Sequence, residues 1–359
     1  MTKGKSHNDA PRSRVISRRD FCKIAAASLL AGCTPSLRPE VTPTAEPRPT
    51  VTPKPTPITD IRRPDVIRMY PEVASKVVHA RHASAWDGER LAPGAIRQML
   101  DSAITELTGI DRAGEAWAAL FAPDERIAIK VNTINSSSYW THVPVAMVVA
   151  KCLQDVGVPP GQIVIFDRYT IEMEDAGFPI NKGLPGVRCH GTDLSYTTGW
   201  TVIDTEVGVS DVLLGCDALI NVPLLKQHGI SGITFAMKNH YGTFDKPEYF
   251  HGGRIGRGIA EINGLRPIKD RTRLIVGDAL SVVRRGWHSA VTADTILMSF
   301  DPVAHDTVGL QLYCDVMAAK GDDPGRATDQ ANTWLEESAN LGLGTSNLEN
   351  IDLVEVRVG

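Results

Sequence analysis

From about Ile61 onward, short apolar runs alternate with longer segments of helical period. The runs are Lys76–Val78, Arg126–Val131, Gln162–Phe166, Asp217–Val222 and Arg273–Val276. Two or three of them are apolar at almost every position, as a strand buried on both faces requires. Between the runs, Val145, Val148, Val149, Cys152, Leu153 and Val156 recur on one helical face, with Thr141 and Pro144 marking its start and Gly157 its stop. A second helix is predicted from Asp301–Pro302 to Ala319. Strand, helix and strand in this order predict an α/β fold, a mainly parallel β-sheet with helices on both faces. Around Gly183–Thr201 the pattern weakens into a Gly, Thr and Ser-rich connection, which reads as an insertion or a lobe boundary.

The first 60 residues follow a different pattern. Ser17-Arg18-Arg19-Asp20-Phe21-Cys22-Lys23 precedes the apolar stretch Ile24–Leu30, which is too short to span a bilayer. It matches a twin-arginine export signal, with Cys22 in the place of the usual Leu. Leu30-Ala31-Gly32-Cys33 resembles a bacterial lipobox, so Cys33 is expected to receive lipid. Thr34–Pro57 holds eight prolines and six threonines in 24 residues, and nothing there has a periodic apolar face to bury. Such a stalk could extend about 75 Å at ~3.1 Å per residue. The organisation expected is therefore a signal peptide over 1–32, a lipidated, disordered stalk over 33–60 and an α/β domain over 61–359. The partners expected are the twin-arginine translocase, the lipoprotein-processing enzymes and the membrane, with the protein held outside the cytoplasmic membrane by its lipid.

Charge narrows the function. The chain of 359 residues carries 38 basic and 42 acidic side chains. Removing the seven basic and two acidic groups of residues 1–32 leaves 31 against 40, a net charge of −9. A body this acidic is not expected to bind nucleic acid through its surface charge. After processing, Cys152, Cys189, Cys216 and Cys314 remain, far apart and without a C-x-x-C. No iron–sulfur cluster is expected from that spacing, and a chain exported already folded need not form disulfides. Buried free thiols are the expectation.

Ligands of open α/β sheets sit beyond the carboxyl ends of the strands. Those ends are Lys130 and Asn132, Asp167 and Arg168, Asn221, and Asp278, with Asp301 opening the last predicted helix. Singly, each such Asp or Asn also reads as a helix cap or a turn residue. The densest polar stretch runs from Asn221 to Gly242 and includes Lys226, His228, Lys238, Asn239 and His240 among glycines. By residue chemistry it reads either as a solvated loop or as a site where lysines hold a carboxylate or phosphate and a histidine moves a proton. His240, Asp245, Glu248 and His251 lack any diagnostic metal spacing, and no metal is expected. Gly252–Gly258 has no preceding strand and reads as a mobile loop rather than a phosphate cradle. There is no G-x-S-x-G, so a serine mechanism of the α/β-hydrolase kind has no support.

The segment N-V-P-L-L-K-Q-H-G-I-S-G-I-T-F-A-M-K-N, residues 221–239, resembles the central motif of the domain of unknown function 362 family. Matching pieces are I-A-I-K-V-N at 127–132, I-V-G-D-A at 275–279 and S-F-D-P-V-A-H-D at 299–306. The resemblance implies an α/β fold and a shared site. Many relatives carry ferredoxin-like cysteine clusters, which this chain lacks, so the redox role suggested for them is a further alternative only. A weaker similarity is to lactate racemase-type enzymes, in which a Pro-His pair follows a strand and a lysine lies ten residues beyond the histidine; His228 and Lys238 share that spacing, with His228 five residues after Pro223 instead of adjacent to it. It would make His228 a proton-transfer base and Lys238 the holder of an anion or cofactor. The expected site thus comprises His228 and Lys238 as catalytic groups, with Lys130, Asn132, Lys226 and Asn239 binding a small anionic substrate. The alternative is a lipoprotein that binds a ligand or partner without catalysis, and no particular cofactor is implied.

Overall fold

A computed structural model of the chain describes residues 75–134, 139–183, 185–284 and 289–359. The export signal, Cys33 and the stalk lie outside the described residues. In chain order come β1 (Ser75–His82), a small hairpin β2 (Trp86–Asp87) and β3 (Arg90–Leu91), α1 (Pro93–Thr108), α2 (Ala113–Leu120), β4 (Ile127–Lys130), α3 (Val143–Asp155) and β5 (Ile163–Phe166). Next are α4 (Thr170–Asp175), β6 (Arg188–Cys189), β7 (Tyr196–Val202), β8 (Thr205–Ser210), α5 (Asp211–Leu214), β9 (Ala218–Asn221), β10 (Leu224–His228), β11 (Gly232–Thr234) and α6 (Ala236–Asn239). The chain continues through α7 (Ile255–Gly264), α8 (Arg266–Lys269), β12 (Thr272–Val283), β13 (Ala290–Ser299), α9 (Pro302–Ala319), α10 (Gly325–Asn340) and β14 (Ile351–Val358).

The ten-stranded sheet has the order β14-β1-β13-β12-β9-β4-β5-β6, with β10 beside β12 and β11 beside β10. Strands β12, β9, β4, β5 and β6 run parallel to one another, while β13 is antiparallel to both β1 and β12. Every residue of β4, β5 and β9 is buried, which is why these runs are apolar throughout. Ile127 and Ile129 pack on the face covered by α1, α2 and α3, through Met99, Trp117 and Val149 among others. Ala128 and Leu219 pack on the opposite face with Ile259 of α7, Val308 of α9 and Trp334 of α10. The α/β class, the mainly parallel sheet and the helices on both faces are as the sequence pattern predicts. No helix among the described residues is long and apolar enough to cross a membrane.

Three local expectations change. Thr141 does not cap α3; its hydroxyl donates to the Val222 carbonyl at 2.9 Å and accepts from the Asn132 amide, and His142 occupies the cap position. Gly252–Gly258 is a short 3-10 turn running into α7 rather than a loop, and Gly258 passes so close to Phe250 and Tyr241 that a β-carbon would come within 2.9 Å of both. Residues 221–242 are almost entirely buried, not a solvated loop, and form β10, β11 and α6. Gly183–Thr201 leads into a separate two-stranded sheet of β7 and β8. By contrast Asp301 does cap α9, accepting from the Val303 and Ala304 amides at 2.8 and 2.9 Å, and it also binds the Ser75 hydroxyl.

The four cysteines of the described residues are free. Burial pushes the thiols of Cys152, Cys189 and Cys216 up to about 12, so all three are protonated at neutral pH. Cys314 is less enclosed. We therefore expect a thiol-reactive reagent, read by peptide mass mapping, to modify Cys314 first and the other three only as the protein unfolds. Rapid labelling of Cys152 at native melting temperature would contradict the packing of α3.

Candidate active site at the carboxyl ends of the parallel strands

The site begins where β9 ends. Val222 still donates to the Lys130 carbonyl of β4 at 2.7 Å, whereas the next carbonyl, that of Pro223, accepts from Asp278 of β12 at 2.8 Å. Proline has no N–H to continue the ladder. Beyond it β10 stays with β12, pairing Leu224 with Asp278 and Lys226 with Val283. On the other side Val131, after β4, donates to Phe166 of β5. The chain segments therefore part at the strand ends, and polar side chains occupy the gap.

Lys130 is wholly buried. Its ammonium donates to Asp167 Oδ1 at 2.6 Å, to the Val131 carbonyl at 2.7 Å and to Asn239 Oδ1 at 3.3 Å. An ammonium has three donors, and all three are used. Asp167 also accepts from the Arg168 amide at 2.7 Å and the Thr133 hydroxyl at 2.9 Å. Asn239 Oδ1 accepts from Asn132 at 3.0 Å, and Asn239 Nδ2 donates to Asn221 Oδ1 at 2.7 Å. Asn221 in turn donates to the Ala236 carbonyl at 2.8 Å and approaches His240 Nε2 at 3.3 Å. That contact assigns the His240 proton to Nδ1; burial, and then the charge of Lys130, push its pKa down to about 3. Gly242 crosses directly over the ion pair, where a β-carbon would meet Asp167 Oδ1 at 2.5 Å and Lys130 Nζ at 2.8 Å.

This geometry corrects the part expected of Lys130 and Asn239. Their polar atoms are saturated by protein partners, which gives them a framework role; Asn132 donates to Asn239, but its own buried Oδ1 has no partner among the described residues. The same framework reaches α6 from below. Asp306 of α9 accepts from the Ala236 and Met237 amides at 2.8 and 2.9 Å and so fixes the first turn of the helix that carries Lys238 and Asn239.

The second pair of lysines is placed differently. Lys226 of β10 donates to the Ile134 carbonyl at 2.9 Å, and burial lowers its pKa to about 8. Lys238 is buried on α6 and lies over the Tyr241 ring, 4.0 Å from its centroid. Among the described residues it makes no hydrogen bond or ion pair. Burial, and next the charge of Lys226, lower its pKa to about 7. His228 ends β10, and its Nδ1 accepts from the amides of Ile230 and Ser231 at 3.3 and 3.2 Å, which places the ring proton on Nε2. Burial first, then Lys238, His251 and Lys226, hold this ring neutral far below the usual histidine pKa. The expectation of a histidine titrating near neutrality is thus replaced by a neutral one. His251 lies beside it, with ring centroids 5.8 Å apart. The charge of Lys226 acts on Lys238 and His228, and Lys226 in turn feels Asp167 and Lys130 of the network below.

Two further polar groups were missed. Glu172 of α4 is half-buried, with one carboxyl oxygen lacking a partner among the described residues. Burial, and then Asp167, raise its pKa to about 7, against the opposing pull of Arg168, Lys130 and Lys226. Nothing in T-I-E-M-E-D distinguishes it from a solvated helix face. His142 is the other: its ring Nδ1 and its amide each donate to Asp278 at 2.8 Å. The candidate metal ligands do not converge, since Asp245 accepts from the Gly208 amide and Glu248 faces Arg168 at 3.6 Å. Among the described residues, no group of three or more His, Cys, Asp and Glu is placed to hold a metal ion.

A buried lysine–carboxylate lock at the parallel strand ends, overlaid by the helix that carries Lys238 and Asn239, is the central feature of this α/β protein. The chain belongs to the family described as Domain of unknown function (DUF362), which it matches over residues 127–311. That span contains Lys130, Asp167, Asn221, Lys226, Lys238, Asp278 and Asp306. No curated protein matches by sequence. Among solved structures, the chain is similar to the lactate racemase apoprotein from Thermoanaerobacterium thermosaccharolyticum, with 10% identity, a TM-score of 0.43 and coverage of 67% of this chain and 57% of that one. A structural-genomics protein from Thermotoga maritima is similar at 12% identity and a TM-score of 0.40, over 71% of this chain and 60% of its own. The chain thus spans less than two thirds of the length of either.

The lock makes a stability prediction. Lys130→Met leaves Asp167 buried without its counter-charge, and removing one partner of a buried pair costs about 3–5 kcal/mol. Urea unfolding should show a loss of that order. A loss below about 1 kcal/mol would show that the pair does not hold the strand ends together.

Proposed function

We propose that this is an exported, lipid-anchored enzyme of the cell envelope that acts on a small anionic substrate, a carboxylate or phosphate, held between Lys226 and Lys238. The observation that carries the reading is the Lys238 ammonium: buried, beside a second lysine, and without an acceptor among the described residues. Burying a cation without a partner is unfavourable, and a bound anion would reverse that cost. His228, neutral and protonated on Nε2, suits hydrogen-bond donation to the substrate. Glu172, with its pKa near 7, is the group suited to take or give a proton at neutral pH. The envelope location rests on the arginine pair and on Cys33, and the translocase, the lipoprotein-processing enzymes and the membrane are its proposed partners. The neutral state of His228 favours a second reading, a lipoprotein that captures the anion without transforming it.

Titration calorimetry with inorganic phosphate and with short hydroxycarboxylates tests the site, and native mass spectrometry of protein exported by its own signal identifies what co-purifies. A hydrogen bond to a charged group contributes about 1.5–3 kcal/mol, so Lys238→Met should weaken binding by roughly 10- to 150-fold. The same variant should melt at the same temperature or higher, because it removes an unpaired buried charge. A lower melting temperature with unchanged binding would refute the site. Turnover of the co-purifying ligand that is lost in Glu172→Gln would separate the enzyme from the binding module.

The pKa values predict a pH dependence whose sign is definite. Both lysines have folded values, about 8 for Lys226 and about 7 for Lys238, below the ordinary lysine value of 10.5. Between these limits the unfolded chain binds more protons than the native one, so stability of the unliganded protein should rise as pH increases from 7 towards 10. Anion affinity should fall over the same interval as the ammoniums deprotonate. Denaturation curves measured across this range should show the rise, and Lys238→Met should reduce it; an unchanged slope in that variant would mean that Lys238 does not titrate there.

Arg18→Lys with Arg19→Lys should trap precursor in the cytoplasm, and Cys33→Ala should abolish incorporation of labelled lipid. Normal export, or normal labelling, would remove the corresponding half of the envelope proposal.

A further inference from the structure

We propose that Ser281, His142 and Asp278 form a second reactive site, a serine nucleophile with its base and orienting carboxylate, that acts on a carboxylic ester or thioester. The proposal does not rest on the lysine site. Asp278 is wholly buried and receives both the backbone amide and ring Nδ1 of His142 at 2.8 Å. A carboxylate cannot donate, so Nδ1 carries the proton and Nε2 is left as the acceptor. Ser281 Oγ lies 3.5 Å from that nitrogen and has no other hydrogen bond among the described residues. The separation is loose, as nucleophile–base contacts often are before a substrate is bound.

The placement depends on an irregularity in the sheet. Asp278 and Ser281 are three residues apart, and on a regular strand such residues point to opposite faces. The pairing of β12 with β13 shifts register between Ala279 and Ser281, and its pairing with β10 shifts between Leu224 and Lys226. Breaks of this kind re-aim side chains. Here they bring the serine to the same imidazole as the aspartate. His142 is held at the start of α3, where its ring also meets the Trp86 edge at 5.5 Å and 84°. Its side chain is 22% exposed, whereas the orienting carboxylate is wholly buried. Burial opposes protonation of His142, but the charge and hydrogen bond of Asp278 outweigh it and raise the pKa, which favours the imidazolium formed when the ring accepts a proton.

In the reaction Ser281 Oγ bonds to the acyl carbon as its proton passes to His142 Nε2. The bond from that carbon to the alcohol or thiol then breaks, and the leaving group departs with the proton. Water attacks the acyl-serine, giving one proton to His142, which returns it to Ser281 Oγ as the carboxylic acid leaves. Asp278 acts as a positioning residue throughout. The arrangement has no nucleophile elbow, and its members lie 139 and 136 residues apart for the two His142 contacts, which is why no sequence motif announces it.

The test is labelling of the full chain with a small fluorophosphonate, read by intact mass and peptide mapping, together with hydrolysis of p-nitrophenyl acetate. One phosphonyl group should attach at Ser281, and Ser281→Ala should abolish both labelling and hydrolysis while leaving the melting temperature unchanged. Asp278→Asn should slow labelling at least 100-fold and, if it unfolds the chain, His142→Gln should do the same in a folded protein. Labelling that persists in Ser281→Ala, or absence of labelling in wild-type protein of normal melting temperature, would overturn the proposal.

Discussion

The buried ion pair between Lys130 and Asp167 is the constraint around which the strand ends are arranged. Both groups are out of water, and their separation is 2.6 Å. An isolated charge in that position would be strongly unfavourable, so every remaining lone pair and proton of the pair must be met by protein. Thr133, Arg168, Val131 and Asn239 meet them. Because Asn239 can satisfy Lys130 only when α6 lies across the ends of β4 and β9, the ion pair determines where that helix sits. Gly242 completes the enclosure by letting the backbone pass over the charges.

From this follows the division of labour among the lysines. Two lysines of similar burial have opposite surroundings: Lys130 has three acceptors, and Lys238 has the face of an aromatic ring and a cationic neighbour. Saturated polar groups rigidify a fold, while an unsatisfied one marks a place where a ligand changes the balance. Three other segments of the family-matched span serve the framework. K-V-N at 130–132 supplies the lock, Asp278 of I-V-G-D-A anchors the start of α3, and Asp306 of S-F-D-P-V-A-H-D holds the first turn of α6. Gly277 of I-V-G-D-A leaves the room that Phe235 and His305 fill.

The break at Pro223 gives these groups their space. Were β9 to continue beside β4, the strand ends would be closed by backbone hydrogen bonds and no side chain could enter. With the ladder interrupted, Lys226 crosses the gap to the Ile134 carbonyl and Thr141 crosses it to the Val222 carbonyl. Polar side chains thus replace the missing ladder bonds.

What the sequence determined by itself were the features governed by near neighbours. Short continuous apolar runs bounded by turn signals fit strands covered on both faces, so β4, β5 and β9 were legible, as was α9 with Asp301 before Pro302. The strand-end positions Lys130, Asp167 and Asn221 followed from the α/β pattern, whereas Asp278, expected at a strand end, lies inside β12, which runs on to Val283. Tertiary structure alone decided what each of those groups does. Burial of 221–242, the saturation of Lys130 and Asn239, the neutrality of His228 and the raised pKa of Glu172 all arise from elements distant in the chain. So does the meeting of His142, Asp278 and Ser281. The reason is physical: periodicity reports which side of an element faces the core, whereas the charge and hydrogen-bonding state of a polar group depend on how far it is removed from water and on partners that only the packed sheet brings within 3 Å or so.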